Sequence, residues 1–365
     1  MKLLCSFLAA CGAVSISAFA QFIPGNLAIV HVGDGSVTLG GFGAPITIEE
    51  YTPLGTLANS YFLPTTGPNA FTMTANATAE GALSRSPDGS LLSFAGYNVA
   101  LPFASSPAAA TSATAPRAVG IINAAGAFTI GTSSTTAFSG NGFRSAVTDN
   151  SNNYWGIANG GGLFYFGSTS AAGTVAANPA NNRVLNVVNN NLYWSTGSGA
   201  VGIYGVPGMP TSVATTNAII ITAGSGTGTA SPYDFAFNST MTTAYIADDR
   251  SAASGGGIQR WDLVGSTWTL SYTLAAGGTS GARGLAVDFS GPNAIIYATT
   301  TETSNNRLIK IIDTGLGSTE LDLTTAGANR AFRGLDFSPV AVPEPSALAL
   351  LGLGLAGLMI RRRRN

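Results

Sequence analysis

The fold is decided by a short motif that occurs four times at a fixed spacing: RVLNVV (183–188), YDFAFN (233–238), RGLAVD (283–288) and RGLDFS (333–338). The third residue of each copy is an apolar anchor, and the anchors follow one another at intervals of fifty residues. Two looser copies, RSAVTD (144–149) and GALSRSPDGS (81–90), precede them. A period of about fifty residues is typical of a four-stranded propeller blade and exceeds most solenoid repeats. The six copies therefore predict an all-β propeller with six blades.

Within one repeat the pattern of apolar and turn-forming residues predicts four strands. In the clearest copy these strands are GLAVDF, AIIYATT, RLIKIID and ELDLTTA, and the stretches SGPN, TETSNN and TGLGS separate them. Short runs rich in β-branched and aromatic residues, bounded by Gly, Pro, Asn and Ser, are the sequence signature of strands joined by turns. Each repeat is therefore long enough for one complete blade.

The two ends of the repeat region complement each other. The last copy, FRGLDFSP, supplies only a first strand, whereas NLAIVHVG, ITIEEYTP and SYFLPTT near the N-terminus have the pattern of a second, third and fourth strand. Joining them completes one blade and removes a free sheet edge. We expect a propeller domain over residues 22–340. Two alternatives remain open: a seventh blade hidden in the Ala/Ser/Thr/Pro-rich insertion at 98–116, which otherwise forms an exposed loop, and a parallel β-helix, which gives no reason for the split blade.

Composition excludes several classes of protein. Of the 365 residues, 45% are hydrophobic and 9% charged, and the net charge is −1. This balance provides no basic surface for nucleic acid. The one histidine, His31, lies in an apolar strand, and no catalytic triad, P-loop or dinucleotide motif occurs. We therefore expect a protein that is not an enzyme and has no cofactor and no metal site.

The first twenty residues have the pattern of a signal peptide. Lys2 precedes an apolar stretch, and Ala18-Phe19-Ala20 forms a small-x-small site before Gln21. We expect the secretion machinery to export the chain and signal peptidase to cleave after Ala20. An alternative is lipid modification of Cys11, because Leu8-Ala9-Ala10-Cys11 matches a lipobox.

The chain ends in VPEPSALALLGLGLAGLMIRRRRN (342–365). Pro343 and Pro345 prevent a helix from continuing into the body and keep Glu344 in an extended segment. The apolar run from 347 to 360 is fourteen residues long, shorter than the roughly twenty that cross a bilayer. We expect a short transmembrane helix, with the membrane stop Arg361, Arg362, Arg363 and Arg364 on the cytoplasmic side. A simple tail anchor is the alternative.

This tail closely resembles the PEP-CTERM sorting signal of Gram-negative bacteria, also catalogued as an ice-binding protein C-terminal domain. The resemblance implies that an exosortase, a membrane-embedded enzyme similar to cysteine transpeptidases, recognises Pro343, Glu344 and Pro345. It further implies that the tail is removed and the protein is delivered to the cell surface or the exopolysaccharide matrix. The ice-binding label does not extend to the body, which lacks regular Thr-x-Thr rows.

Four of the six copies begin with an arginine two residues before the anchor: Arg144, Arg183, Arg283 and Arg333. In a propeller this position starts the innermost strand, so we expect the four guanidiniums to surround one mouth of the central channel and bind carboxylate or phosphate groups. The alternative is that each arginine pairs with a neighbouring aspartate or a buried carbonyl. The sequence thus favours a binding or structural propeller, with exopolysaccharide as a possible partner. A propeller hydrolase or lactonase is the alternative function.

Overall fold

A computed structural model describes residues 21–168, 171–213, 216–223 and 229–341. The predicted signal peptide at 1–20 and the sorting segment at 342–365, with its expected short helix, lie outside the described residues. Within the described ranges one 3-10 turn, Ala252–Ser254, is the only helical element. This part of the chain holds no helix with the length and hydropathy of a membrane span.

The described chain is built from twenty-six strands. The first half comprises β1 (Leu27–Val32), β2 (Gly43–Ala44), β3 (Ile46–Tyr51), β4 (Leu57–Phe62), β5 (Met73–Thr74), β6 (Leu83–Arg85), β7 (Leu91–Tyr97), β8 (Arg117–Asn123), β9 (Phe128–Ser134), β10 (Phe143–Thr148), β11 (Tyr154–Ala158), β12 (Leu163–Tyr165) and β13 (Gly173–Ala176). The second half comprises β14 (Asn182–Val188), β15 (Asn191–Thr196), β16 (Gly202–Val206), β17 (Ala218–Thr222), β18 (Pro232–Phe237), β19 (Thr243–Asp248), β20 (Gly257–Val264), β21 (Thr267–Leu274), β22 (Ala282–Asp288), β23 (Ile295–Thr300), β24 (Arg307–Ile312), β25 (Glu320–Thr325) and β26 (Ala331–Phe337).

These strands form six four-stranded antiparallel sheets and one two-stranded sheet, β2-β5. Blade 1 has the order β26-β1-β3-β4, and blades 2 to 6 are β6–β9, β10–β13, β14–β17, β18–β21 and β22–β25 in turn. The prediction of six blades, one of them completed by both ends of the chain, is confirmed. The alternative of seven blades was wrong because the insertion at 98–116 contains no strand, and that of a parallel β-helix was wrong because the strands pair antiparallel in separate sheets. That insertion is a loop, but Ser112 and Ala115 within it are buried.

Blade 1 closes through a direct antiparallel pairing of β1 with β26. Leu27 lies opposite Phe337 and Val32 opposite Ala331, with a bulge between Ile29 and His31. The outer strand differs from the sequence prediction, because β4 begins at Leu57, three residues before the predicted SYFLPTT. Pro64, which has no N–H to donate, follows soon after β4 ends.

The buried carboxylate of Glu50 links the two chain ends of blade 1. Its Oε1 accepts hydrogen bonds from Ile23 N at 2.6 Å, Asn26 Nδ2 at 3.1 Å and Ser338 Oγ at 3.1 Å. Its Oε2 accepts one from Asn59 Nδ2 at 2.6 Å. A carboxylate with several N–H and O–H donors is among the strong hydrogen-bonding arrangements in proteins. Glu50 therefore fixes both the entry and the exit of the propeller.

Apolar contacts between neighbouring blades form the core. An aromatic residue in the second strand of a blade meets a phenylalanine of the next blade in three places: Tyr193–Phe237 at 5.5 Å, Tyr245–Phe289 at 5.8 Å and Tyr297–Phe337 at 6.2 Å between ring centroids. Edge and offset contacts at these separations are favourable for aromatic pairs. The repeat thus places the same kind of contact at successive blade junctions.

The first strand of each blade is its innermost strand, and these strands approach one another closely. A Cβ atom on Gly334 would lie 2.5 Å from Leu83 N, and one on Gly284 would lie 2.7 Å from Arg333 O. The backbones also bond directly, because Gly334 N donates to Gly81 O at 3.0 Å. The inner strands therefore leave little open space where they begin.

Candidate functional site

The structure brings the four predicted arginines together where the inner strands begin, around the ring of Tyr233. Arg183 Cζ lies 4.3 Å and Arg283 Cζ 5.5 Å from the ring centroid. Arg144 and Arg333 are close enough to Tyr233 to interact with it electrostatically. Tyr233 starts the inner strand of blade 5 at the position that holds arginine in four other blades. Its ring occupies the space between the guanidiniums, and we call this group the arginine end of the channel.

Each arginine at this end also contacts protein groups. Asp249 lies 3.8 Å from Arg183 Nη1 and 3.2 Å from Arg283 Nη2. Three of the arginines also donate hydrogen bonds to backbone oxygens: Arg144 to Asn182 O, Arg283 to Thr301 O and Arg333 to Ala75 O. Arg333 is 4% exposed, and its burial, together with the charge of Arg283, lowers its pKa to about 10. These contacts are of the kind expected if each arginine pairs with a neighbouring aspartate or a buried carbonyl. Anion binding by the four arginines stays a prediction.

Glu80 is a functional candidate that the sequence did not reveal. It is buried beside the arginine end, where its carboxyl group accepts hydrogen bonds from Tyr97 Oη at 2.6 Å and Thr74 N at 3.1 Å. Burial raises the pKa of Glu80 to about 7, although the hydrogen bonds and the charges of Arg333 and Arg144 oppose the shift. The void beside Glu80, Tyr233 and Arg333 has a volume of about 20 Å³. The arginine end is therefore filled by its own side chains.

The opposite end of the channel holds a cavity of about 630 Å³. It is lined by the later part of the inner strands and the following turns in blades 1, 2, 4, 5 and 6. Pockets that hold small ligands measure about 300 to 1,000 Å³ and combine apolar walls with a few polar groups. We call it the open-end cavity. The sequence analysis did not predict it.

Asp234 is the most buried acid of the open-end cavity, at 2% exposure. Its carboxyl group accepts from Phe235 N at 2.8 Å, from Leu285 N of the next blade at 3.1 Å and from Asn186 Nδ2 of the previous blade at 3.0 Å. An innermost strand has one unpaired edge, so its buried N–H groups need such acceptors. Burial raises the pKa of Asp234 to about 8, and the nearby charge of Asp336 adds to the shift.

Asp336 repeats this arrangement between blades 1 and 2. It accepts from Phe337 N at 2.7 Å and from Arg85 N of the next blade at 3.0 Å. Burial raises the pKa of Asp336 to about 6, while the Arg85 guanidinium opposes the shift. Ser145 plays the same part between blades 3 and 4, where its Oγ accepts from Leu185 N at 3.0 Å. These side chains join neighbouring inner strands where backbone pairing is absent.

Asn186 and Asp234 form a polar floor in the open-end cavity, and a hydrogen-bonded chain links them to Ser84 of blade 2. Ser84 Oγ donates to Asn186 Oδ1 at 2.8 Å, and Asn186 Nδ2 donates to Asp234. Phenylalanines 235, 237, 289 and 337 contribute to the walls. The arrangement combines a rigid polar floor with aromatic sides, which suits binding of a polar molecule that also has an apolar face. No group of three or more His, Cys, Asp or Glu side chains that could hold a metal ion occurs among the described residues.

Two further residues, His31 and Asp248, have structural contacts. His31 Nδ1 lies 2.8 Å from Glu49 Oε1, and its Nε2 lies 3.1 Å from Ala326 O. Asp248, next to Asp249, forms an ion pair with Arg250 at 2.9 Å. Three groups of predicted residues lie outside the described residues: the cleavage residues Ala18 and Ala20, the motif Pro343, Glu344 and Pro345, and the membrane stop Arg361 to Arg364.

Comparison with known families identifies one segment of the chain. Residues 341–364 match the PEP-CTERM protein-sorting motif, in agreement with the resemblance at 342–365. The motif implies an exported protein that is anchored in the membrane and then sorted by an exosortase-type enzyme. A search of the curated proteins finds no significant relative of this chain.

Solved structures of several kinds are similar to this chain in shape at low sequence identity. A protein from Lactobacillus plantarum is 11% identical with a TM-score of 0.48, and the alignment covers 86% of this chain and 99% of that one. A lectin from Burkholderia pseudomallei is 13% identical with a TM-score of 0.46, covering 84% and 82% of the two chains. A prolyl endopeptidase structure is 9% identical with a TM-score of 0.42, covering 80% of this chain and 50% of that one.

Proposed function

We propose that this chain is an extracellular binding protein that an exosortase-type enzyme sorts to the cell surface or the exopolysaccharide matrix, where its propeller binds polysaccharide without cleaving it. The observation that carries the proposal is the sorting motif at 341–364 directly after a six-bladed propeller. Signal peptidase and the secretion machinery export the chain, and the propeller is the part that remains after processing.

The position of the motif supports removal of the tail without loss of the fold. The closing strand β26 ends at Phe337, and Ser338 is bound to Glu50. Val340 N donates to Gly89 O of blade 2 at 2.9 Å, just before the motif begins. The contacts of β26, Ser338 and Val340 therefore all lie on the N-terminal side of Pro343. Cleavage at or after the Pro-Glu-Pro segment leaves these contacts intact.

The open-end cavity supports the binding function. Its volume of about 630 Å³ falls within the range of about 300 to 1,000 Å³ that is usual for ligand sites. The polar floor is fixed by hydrogen bonds between blades, so a ligand meets preformed groups and loses little affinity to ordering them.

Sorting is tested by substituting Pro343, Glu344 and Pro345 with alanine in the full chain, expressed in a bacterium that contains an exosortase. We expect the unchanged protein at the cell surface or in the matrix and the variant in the membrane fraction with its tail attached. Asp322→Asn, at a side chain that is 54% exposed, is the control and should be sorted normally. Surface delivery of the triple variant contradicts the sorting proposal.

Binding is tested by co-sedimentation of the purified surface protein with exopolysaccharide from the same strain. We expect saturable binding with no change in the chain length of the polysaccharide. Failure to bind any neutral or acidic polysaccharide contradicts the binding proposal.

A second candidate function, hydrolysis of an extracellular polymer, has one observation in its favour. Asp234 and Asp336 line one cavity and both have a raised pKa, to about 8 and about 6, and such pairs occur in acid–base catalysis. Release of reducing ends from the polysaccharide, abolished by Asp336→Asn, would establish this function. Intact polymer after prolonged incubation supports the binding proposal.

A further inference from the structure

We propose that the open-end cavity is a binding site for uncharged sugar residues, with Asp336 accepting hydrogen bonds from sugar hydroxyls and Arg85 donating to them. This inference rests on the proposed polysaccharide-binding function and names the site and the ligand class. It assigns recognition to the end of the channel opposite the arginines that the sequence singled out.

Hydrogen-bonding capacity that the protein leaves unused supports the two polar contacts. Each carboxylate oxygen of Asp336 accepts one backbone N–H, although a carboxylate oxygen can accept about two hydrogen bonds. The Arg85 guanidinium carries five N–H donors, and one of them, on Nη2, donates to Gly89 O at 3.2 Å. Asp336 and Arg85 therefore provide an acceptor and a donor in the lining of the same cavity.

A hydroxyl group matches this pair because it can donate to a carboxylate and accept from a guanidinium at the same time. The backbone hydrogen bond from Arg85 N to Asp336 Oδ2, at 3.0 Å, fixes the spacing of the two residues. Neighbouring hydroxyls on one sugar ring offer several such groups within a short distance. The remaining walls, with half-buried Phe289 and Phe337, provide apolar surface for the C–H face of the ring.

The charge of the cavity argues against an acidic sugar. The charged residues in its lining are Arg85, Asp88, Asp234 and Asp336. Burial raises the pKa of Asp234 to about 8, so this group holds its proton at neutral pH. Asp88 is engaged by Ser86 Oγ at 2.6 Å and Ser90 N at 3.0 Å. Arg85 is the one basic residue in this lining and is accompanied by acidic residues, so the cavity has no excess of positive charge to attract a carboxylate or phosphate.

The test measures binding of cellotetraose and isomaltotetraose to the purified, exported protein by calorimetry, with tetragalacturonate and chitotetraose in its amine form as charged probes. We expect one of the neutral probes to bind more tightly than either charged probe. Arg85→Gln and Asp336→Asn should each weaken binding by about tenfold or more, since a hydrogen bond to a charged group contributes about 1.5 to 3 kcal/mol. Arg330→Gln, which changes an arginine outside the cavity lining, is the matched control and should bind like the unchanged protein.

Arg85→Gln keeps the backbone N–H that binds Asp336, so it tests the site even where Asp336→Asn does not fold. Unchanged affinity of a folded Arg85→Gln variant for a neutral probe overturns the site assignment and leaves the proposed function standing. Preferential binding of either charged probe overturns the ligand class. Polysaccharide binding that none of the four probes reproduces or competes with also overturns this inference, whereas absence of polysaccharide binding altogether refutes the proposed function itself.

Discussion

Replacing Glu50 with glutamine should destabilise the propeller strongly, because this carboxylate joins both ends of the chain in blade 1. Glu50 is 0% exposed and accepts four hydrogen bonds. A glutamine side chain has one oxygen and one NH₂ group. Oriented with its oxygen toward Ile23, Asn26 and Ser338, it places its NH₂ against the amide of Asn59. At least one donor then loses its partner, and the remaining bonds lose the negative charge of their acceptor.

The expected loss follows from these contacts. A hydrogen bond to a charged group contributes about 1.5 to 3 kcal/mol, and leaving a buried donor unpaired costs about 1 to 3 kcal/mol. We therefore expect Glu50→Gln to lower the free energy of unfolding by about 3 to 5 kcal/mol, a large part of the roughly 5 to 15 kcal/mol typical of a folded domain.

Urea unfolding followed by tryptophan fluorescence measures this loss as a lower midpoint at constant m-value. Ser338→Ala removes one donor and leaves Glu50 three partners, so this control should lose about 1.5 to 3 kcal/mol, less than Glu50→Gln. A loss below about 1 kcal/mol for Glu50→Gln would refute the reasoning. A lower m-value in Glu50→Gln alone would indicate that blade 1 opens before the rest of the domain unfolds.

Three further predictions concern the channel. Arg283→Gln removes the ion pair with Asp249 at 3.2 Å and leaves the longer contact between Asp249 and Arg183 at 3.8 Å. It should lower the free energy of unfolding by about 1 to 3 kcal/mol, measured by thermal unfolding. An unchanged melting temperature with weaker binding of an acidic polysaccharide would instead favour the anion-binding interpretation. The folded-state pKa of Asp234, about 8, exceeds the unfolded value of about 3.9, so the stability it contributes is present below pH 4 and is lost as pH rises to about 8. Between these pH values the free energy of unfolding of Asp234→Asn should therefore fall less steeply with pH than that of the unchanged protein, by up to about 1.4 kcal/mol per pH unit. Parallel pH profiles of the two proteins would contradict this. Gly334→Ala places a Cβ 2.5 Å from Leu83 N and should destabilise by about 1 to 3 kcal/mol or more, whereas Gly41→Ala, with no atom within 4 Å, should be neutral; equal stabilities would contradict the close approach of the inner strands.

The blade architecture could be predicted from sequence because a blade is a local unit with a fixed length. The spacing of Leu185, Phe235, Leu285 and Leu335, together with the looser copies at 144–149 and 81–90, indicated six blades, and the pattern at both ends indicated the split blade. The boundary of β4 was less well predicted, because LANSYF carries small and polar residues whose strand conformation depends on pairing with β3.

The recurrence of arginine before the anchor predicted which side chains meet, since equivalent positions in a propeller lie around one axis. The side chains that contact these arginines could not be predicted in the same way. Tyr233 breaks the repeat, and Asp249 lies in the turn after β19, whose position depends on the neighbouring blades.

The open-end cavity escaped the sequence analysis for a related reason. Asp234 lies one residue before the anchor Phe235, and Asp336 lies one residue after the anchor Leu335. No other copy of the motif has an aspartate at the corresponding position. No repeated pattern connects them. Their common surroundings exist only in the assembled ring, where each accepts an N–H group from the next blade.

Intact mass spectrometry of the protein recovered from the native cell surface tests the central claim most directly. If the chain is exported and then sorted by an exosortase-type enzyme, the measured mass should correspond to a chain that begins at Gln21 and lacks Arg361, Arg362, Arg363 and Arg364. Recovery of surface protein that retains the full arginine tail would contradict the account.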